Sequence, residues 1–198
     1  MLNNWDRDIW FCGVEWWNPT IVKVESLEAA ELVKLFNNTY RDIHFSIGNY
    51  FNEIAQSFNI NGIELIKSAN YQYERSKIAN PGFVGGPCLE KDAYILVDNM
   101  ETSPGKSFVL EARKYNEKLE ETVSNWIIKK IKDNKINSIG LSGFAFKGRP
   151  ATSDLRGSSS LNILKMLSSC MDVPSHFSMI PIFLDVSKSK LSKDLKLN

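Results

Sequence analysis

The sequence places one cysteine directly after a glycine-rich turn, where a thiol can act as a nucleophile. Cys88 follows the segment Gly82-Phe83-Val84-Gly85-Gly86-Pro87 and stands near the predicted start of a helix. Glycines permit backbone angles that other residues avoid and let a ligand approach closely. The free N–H groups at the start of a helix favour a thiolate, and Lys91 and Asp92 lie one turn away. The segment indicates an activated thiol, although a free cysteine is also a common small buried residue.

A stripe of mostly polar residues lies on one face of the first long helix that the sequence predicts. Positions three and four apart stay on one face of a helix, and the members of the stripe are Lys34, Asn38, Arg41, Phe45, Asn49 and Asn52. A solvated face is the simpler interpretation. Against it, Lys34 and Asn38 stand four apart, so that an ammonium and an amide could be directed at one oxygen atom.

The composition excludes several classes of protein. The chain has 198 residues, 43% of them hydrophobic and 24% charged, with a formal net charge of +1. These values are ordinary for a globular protein and give no electrostatic reason to expect nucleic acid or an anionic membrane as a partner. There is no long apolar run and no secretory signal after Met1, which predicts a cytoplasmic protein. The three cysteines form no CxxC pair and there are two histidines, so no metal site is predicted.

The sequence pattern divides the chain into three predicted units. Residues 1–21 are rich in tryptophan, residues 22–134 are helical, and residues 135–198 form a further unit with predicted strands and one helix. In the helical unit, long helices are predicted from Ser26 to about Phe58 and from Lys106 to Asp133. The expected fold class is therefore a mostly α central helical domain with two long helices, followed by a partial α/β segment.

Each long helix is predicted to be amphipathic, with its apolar residues on one face. The apolar positions of the first helix are Phe36, Tyr40, Ile43, Ile47, Tyr50 or Phe51, Ile54 and Phe58. Those of the second are Phe108, Ala112, Tyr115, Leu119, Val123, Trp126 or Ile127, and Ile131. Short helices are predicted from Ile63 to Asn70, from Asp92 to Met100 and from about Ser158 to Leu167. Strands are predicted at Ile136, Ile139 and Leu141 and from Ile180 to Val186.

A basic loop follows the first of these predicted strands. Phe146-Lys147 and Asp154-Leu155-Arg156 lie where open α/β sheets usually bind ligands. Lysine and arginine at such a place suit a phosphate group, although ordinary surface loops also carry them.

Three ordered blocks resemble the UDP-glucose/GDP-mannose dehydrogenase family, the NAD-dependent nucleotide-sugar 6-dehydrogenases. The block from Ala29 to Arg41 is similar to the start of the family's central helical domain, and the block from Pro81 to Asp92 to its catalytic cysteine loop. The block from Gly143 to Ser160 is similar to the opening of its UDP-binding domain. The resemblance implies a central dimerisation domain, with a homodimer formed through the helix from Ser26 to Phe58.

The resemblance also implies roles for individual residues. In this family a hydroxymethyl group is oxidised twice, through a cysteine thiohemiacetal and a thioester. Cys88 would be the nucleophile, Lys34 and Asn38 would stabilise the oxyanion, and Asp92 would assist the water and proton steps. The substrate-binding residues implied are Arg75, Phe83, Gly85, Phe146 and Lys147. Arg156 would contact the pyrophosphate of the cofactor, NAD, and a UDP-sugar would be the substrate.

The sequence also departs from the family. No two glycines are separated by a single residue, so the dinucleotide fingerprint is missing. The family's general acid/base glutamate has no counterpart in the tryptophan-rich opening, and the roughly 30 residues after Leu167 are too few to complete a doubly wound sheet. We expect a truncated or split dehydrogenase of polysaccharide precursor synthesis, inactive alone. The alternatives are a non-enzymatic helical self-association module and, more weakly, a cysteine hydrolase, for which no histidine signature is present.

Overall fold

The computed structural model describes residues 9–12, 21–75, 77–98, 104–136, 139–145 and 154–170. Two short strands lead into the helices: β1 is Ile9–Cys12 and β2 is Ile21–Val24. The helices of the described residues are α1 (Leu27–Ser57), α2 (Gly62–Asn70), α3 (Leu89–Asp98), α4 (Pro104–Asn134) and α5 (Ser159–Cys170). The prediction of a mainly helical protein with two long helices is confirmed.

Local signals explain where α1 and α2 begin and end. The hydroxyl of Ser26 accepts a hydrogen bond from the backbone N–H of Ala29 at 3.2 Å, which caps the first turn of α1. After α1, Asn59 adopts a positive φ of 58°, a conformation that asparagine tolerates and that turns the chain. Asn61 then caps α2, because its side-chain oxygen accepts from the N–H of Ile63 at 3.1 Å. The predicted bounds of both helices are met to within one residue.

The bounds of α3 and α4 differ from the prediction. Helix α4 begins at Pro104, two residues before the predicted start at Lys106. Proline suits a first helical turn, since its missing N–H has no intrahelical acceptor there. Helix α3 begins at Leu89, three residues before the predicted start. The predicted end at Met100 lies outside the described residues.

The apolar face of α1 is mostly exposed rather than packed against the other helices. Phe36 is 56% exposed, Tyr40 66% and Phe58 70%, and most of the remaining row is also exposed. The residues that α1 buries are mainly small or polar: Thr39, Asp42, Ser46, Gly48, Asn49 and Ala55. The helix packs against α2, α3 and α4, so the inner face of α1 is the polar one.

Helix α4 also exposes some apolar residues and buries some polar ones. Phe108 and Trp126 lie on the predicted apolar face but are exposed, whereas Arg113 and Asn116 are buried. Only Ile131 of the predicted face is fully buried, and the other members are half-buried. Helix α4 packs against α1 as well as α5, and the residues that α1 buries are mainly polar.

A glycine in the middle of α1 allows the chain to cross it closely. An added Cβ at Gly48 would lie 2.3 Å from the backbone oxygen of Ala79. The segment before the cysteine loop therefore passes directly over α1 at this point. A side chain here would push that segment away from the helix.

The strand predicted at Ile136, Ile139 and Leu141 is wrong within the described residues. Ile136 closes α4 through a hydrogen bond to the carbonyl of Ile131 at 3.0 Å, and residues 139–145 carry no regular structure. The strands that do form, β1 and β2, pair antiparallel with Ile9 opposite Val24 and were not predicted. The tryptophan-rich remainder of residues 1–21 and the predicted strand over Ile180–Val186 lie outside the described residues. Across the described ranges, no helix combines the length and apolar character that crossing a membrane requires.

Candidate active site

The cysteine loop presents its thiol at the start of a helix, as the sequence predicts. Cys88 is exposed and directly precedes the first residue of α3. Its carbonyl accepts hydrogen bonds from the N–H groups of Lys91 at 3.2 Å and Asp92 at 2.9 Å. Cys88 therefore stands at the N-terminal end of α3, where the helix dipole favours negative charge. The alternative of a small buried residue is wrong.

Two of the three glycines in the loop have a structural reason. Gly86 has a φ of 99°, a region that side-chain-bearing residues rarely adopt. An added Cβ at Gly85 would lie 2.2 Å from the carbonyl oxygen of Gly157, which accepts a hydrogen bond from the N–H of Gly86 at 2.9 Å. Gly82 needs neither, since an added Cβ would meet nothing within 4 Å. The loop is therefore fastened to the turn that precedes α5.

The buried carboxylate of Asp92 contacts polar residues of two predicted helices. Asn38 of α1 donates a hydrogen bond of 2.7 Å to Oδ2 of Asp92, and the ammonium of Lys34 lies 3.7 Å from the same oxygen. Lys91 bonds Oδ1 at 2.8 Å. Asp92 is 0% exposed. The polar stripe of α1 is therefore more than a solvated face, because part of it forms one wall of this site.

The charges around Asp92 keep it ionised. Burial on its own raises the pKa of Asp92, but hydrogen bonds from Lys91 and Asn38 and the charge of Lys34 outweigh it and hold the pKa below its ordinary value. The hydrogen bond to Asp92 raises the pKa of Lys91 in turn. At neutral pH the site therefore contains a carboxylate with an ammonium on either side.

Two cations act on the thiol of Cys88. The negative charge of a Cys88 thiolate contributes to raising the pKa of both Lys91 and Arg156, although each owes its shift first to a hydrogen bond with an aspartate. Arg156 is exposed and bonds Asp154 at 2.7 Å within its own turn. Cations next to a cysteine stabilise the thiolate, which is the nucleophilic form. The turn that carries Arg156 is joined to the cysteine loop by the hydrogen bond from Gly86 to Gly157, although Arg156 and Cys88 are 68 positions apart.

Sequence reasoning missed a buried polar network beneath the cysteine loop. Asp42 and Arg113 form an ion pair with 2.7 Å between Oδ1 and Nη1, and both side chains are 1% exposed. Asn116 donates to Asp42 at 2.9 Å and accepts from Asn49 at 3.1 Å. Asn49 completes the chain, since its amide bonds both the N–H of Gly82, at 2.7 Å, and its carbonyl, at 3.0 Å.

Burial dominates the ionisation of this network. Desolvation raises the pKa of Asp42 above its ordinary value, and the charge of Arg113 and the hydrogen bond from Asn116 offset only part of that rise. A signal was present in the sequence, because Asp42, Ser46 and Asn49 stand at helical spacing on α1. A polar face that repeats in this way on one helix and meets a buried arginine on another indicates a buried network rather than a solvated surface.

Among the described residues, not every predicted site residue is joined to the cluster. Arg75 is exposed in the turn after α2, and no hydrogen bond or ion pair links it to Cys88 or Asp92 within the described part of the chain. Phe83 is exposed beside the loop. Phe146 and Lys147 lie outside the described residues. In the ranges that the structure describes, no three histidine, cysteine or acidic side chains converge as a metal site would require.

Part of this chain matches a known protein family. Residues 28–118 match the central-domain model of the UDP-glucose/GDP-mannose dehydrogenase family. A UDP-N-acetyl-D-mannosamine dehydrogenase from Methanococcus maripaludis is 36% identical over 141 residues, which are 70% of this chain and 32% of that protein. The chain thus spans about a third of the length of the curated relatives it matches.

Solved structures agree with the sequence comparison. The structure of a UDP-D-ManNAc dehydrogenase from Pyrococcus horikoshii matches with a TM-score of 0.65 and 32% identity, over 74% of this chain and 35% of that chain. A UDP-N-acetyl-mannosamine dehydrogenase from Staphylococcus aureus matches with a TM-score of 0.65 and 28% identity, over 76% of this chain and 35% of that chain.

Proposed function

Because the chain belongs to the UDP-glucose/GDP-mannose dehydrogenase family, we propose that it forms the catalytic-cysteine part of a nucleotide-sugar 6-dehydrogenase. One observation carries the proposal: Cys88 stands one helical turn from a buried carboxylate that Lys34 and Asn38 both contact. The names of the relatives favour a UDP-linked N-acetylhexosamine as the sugar. A cytoplasmic role in polysaccharide precursor synthesis is part of the same proposal and is supported by the family.

The chemistry assigned to Cys88 begins with addition to a sugar aldehyde. The thiolate forms a C–S bond to the aldehyde carbon, and the electron pair of the carbonyl moves to its oxygen, giving a thiohemiacetal oxyanion. Lys34 and Asn38 are the donors available to that oxygen. Both are directed at Asp92 in the structure, so the oxyanion would share or replace the carboxylate as their acceptor.

Asp92 is assigned to the hydrolysis of the thioester. Water adds to the acyl carbon, the C–S bond breaks with its electron pair on sulfur, and a carboxylic acid and the free cysteine result. The lowered pKa of Asp92 makes it a weak base. Asp92 therefore orients the attacking water and passes its proton to the solvent or the leaving thiolate rather than keeping it.

The two oxidations need a hydride acceptor, and the sequence lacks the glycine fingerprint of a dinucleotide site. The 198 residues contain no pair of glycines separated by one residue, and one exposed arginine, Arg156, does not hold a pyrophosphate by itself. We therefore assign no hydride step to these residues. The 198-residue chain alone is expected to produce no NADH from NAD and UDP-N-acetylmannosamine. Steady NADH formation would contradict this.

Thiol labelling tests the nucleophile directly. Iodoacetamide at pH 7 is reacted with the folded chain and with the chain in urea, and peptide mass spectrometry gives the rate at each cysteine. Cys88 is expected to react faster in the folded chain than in the unfolded chain, whereas Lys91→Met and Arg156→Met slow it. Lys114→Met, which removes an exposed cation of α4, is the control. A Cys88 that reacts no faster when folded would overturn the proposal.

The exposed apolar row of α1 supports a second candidate, a self-association module. Aromatic and aliphatic side chains of this row stay exposed along the helix, and a monomer rarely leaves so long an apolar surface uncovered. A two-fold interface would pair the row with itself, forming a homodimer through the helix from Ser26 to Phe58. Size-exclusion chromatography with light scattering measures this. A monomer at micromolar concentration would contradict it.

A further inference from the structure

We propose that Arg113 is a positioning residue that holds the peptide segment on both sides of Cys88. The proposal rests on the proposed function, in which Cys88 is the nucleophile. Arg113 lies in the middle of α4, 25 positions after the cysteine by residue number. It acts through the backbone rather than on a substrate, since its side chain is 1% exposed.

The guanidinium reaches two carbonyl groups that bracket the cysteine. Nη2 donates to the carbonyl of Val84 at 3.3 Å, and Nη1 donates to the carbonyl of Leu89 at 3.2 Å. Val84 stands four residues before Cys88 and Leu89 directly after it. Both residues are buried, so water does not compete for these carbonyls, and loss of the donor would leave the carbonyl of Val84 buried without this partner.

Side chains of α1 support the contacts that Arg113 of α4 makes with the cysteine loop. Asp42 of α1 orients the guanidinium through the 2.7 Å ion pair, and Asn49 of the same helix holds Gly82 at the start of the loop by two hydrogen bonds. The loop is thus held at its beginning, middle and end by side chains of α1 and α4. A planar guanidinium can serve a carboxylate and two carbonyls at once, which a lysine ammonium on the same stem does poorly.

If the Asp42–Arg113 pair only stabilised the fold, replacement of both residues would leave the loop unchanged. Replacement of both partners of a buried ion pair by uncharged residues of similar size often leaves stability unchanged. The double variant Asp42→Asn/Arg113→Met removes both charges and keeps most of the side-chain volume. It should therefore fold, but it leaves the carbonyls of Val84 and Leu89 without their donor.

The test measures the loop separately from the fold. Amide hydrogen exchange at Gly82 and Gly86 is followed by NMR, together with the melting temperature and the iodoacetamide rate at Cys88. The set comprises the wild type, the double variant, Arg113→Lys and the neighbouring control Lys114→Met. We expect the double variant to stay folded, with a melting temperature lowered because two buried carbonyls lose their donor, while the amides of Gly82 and Gly86 exchange about tenfold faster or more.

The other two variants separate the effect of the guanidinium from the effect of its charge. Arg113→Lys keeps the charge opposite Asp42 and is expected to stay folded but to lose the protection of Gly82 and Gly86. The rate at Cys88 should fall with the loss of protection in both variants and stay unchanged in Lys114→Met. Wild-type exchange rates in either folded variant would overturn the positioning role. A wild-type Cys88 that is no more reactive than in urea overturns the proposed function instead, whatever the exchange rates are.

Discussion

Asn38 of α1 donates a hydrogen bond of 2.7 Å to the carboxylate of Asp92 in α3, across 54 positions of sequence. This contact joins two features that stand apart in the sequence, the polar stripe of the first long helix and the cysteine loop. Since Lys34 shares the same carboxylate, an ammonium, an amide and a carboxylate meet one helical turn from Cys88.

Replacement of Asp92 by asparagine should reduce the dependence of stability on acid. The pKa of Asp92 is lower in the folded protein than its unfolded value of about 3.9. The stabilisation is therefore complete above that value and is lost as the pH falls through the folded pKa. At pH 7, Asp92→Asn should cost about 1.5–3 kcal/mol through lost charge-assisted hydrogen bonds.

Urea unfolding at several pH values measures this effect. The difference in the free energy of unfolding between wild type and Asp92→Asn should shrink as the pH falls below about 4. A difference that stays constant from pH 7 to pH 3 would show that Asp92 is not held ionised by its neighbours.

Gly48→Ala should destabilise the protein although alanine favours helices. The exchange would gain about 1 kcal/mol in helix propensity. The added Cβ would lie 2.3 Å from the backbone oxygen of Ala79, and such overpacking costs about 1–3 kcal/mol. The melting temperature should fall, with Gly82→Ala as the control, whose Cβ meets nothing within 4 Å. An increase in the melting temperature would mean that the crossing segment is not fixed on α1.

The apolar row of α1 should control self-association. Ile47 and Ile54 lie seven residues apart on the exposed face, each 39% exposed. The double variant Ile47→Lys/Ile54→Lys should weaken a dimer by about 100-fold or more, which corresponds to about 2.7 kcal/mol. Analytical ultracentrifugation measures the change. Trp126→Lys, an equally drastic change on the exposed face of α4, should leave the dimer intact, and equal loss in both variants would argue against an interface on α1.

The sequence predicts those parts of the molecule that local chemistry decides. Ser26 and Asn61 cap their helices through their own side chains, and the position of Cys88 at a helix start follows from the residues around it. Which face of a helix is buried depends on the other elements that pack against the helix. The apolar row of α1 looked like a core-facing stripe, but the buried partners of α1 are polar.

The Asp42–Arg113 pair shows why the contacts of Arg113 with the cysteine loop could not be predicted from the sequence. The two residues are 71 positions apart, and the polar spacing around Asp42 on α1 does not identify Arg113 as its partner. Charged residues are almost never fully buried unless they are paired, so the partner has to be known first. The assignments of Phe146 and Lys147 stay predictions, since they fall outside the described residues.

Protection of Cys88 by a substrate aldehyde tests its role as nucleophile most directly. The 6-aldehyde of UDP-N-acetylmannosamine is added to the chain before iodoacetamide, and the labelling rates at Cys88, Cys12 and Cys170 are compared with those in the parent alcohol. A thiohemiacetal at Cys88 should slow the labelling of Cys88 alone, with a weaker effect in Lys34→Met. Labelling of Cys88 that is unchanged by the aldehyde, or slowed equally by the alcohol, would contradict a nucleophilic Cys88.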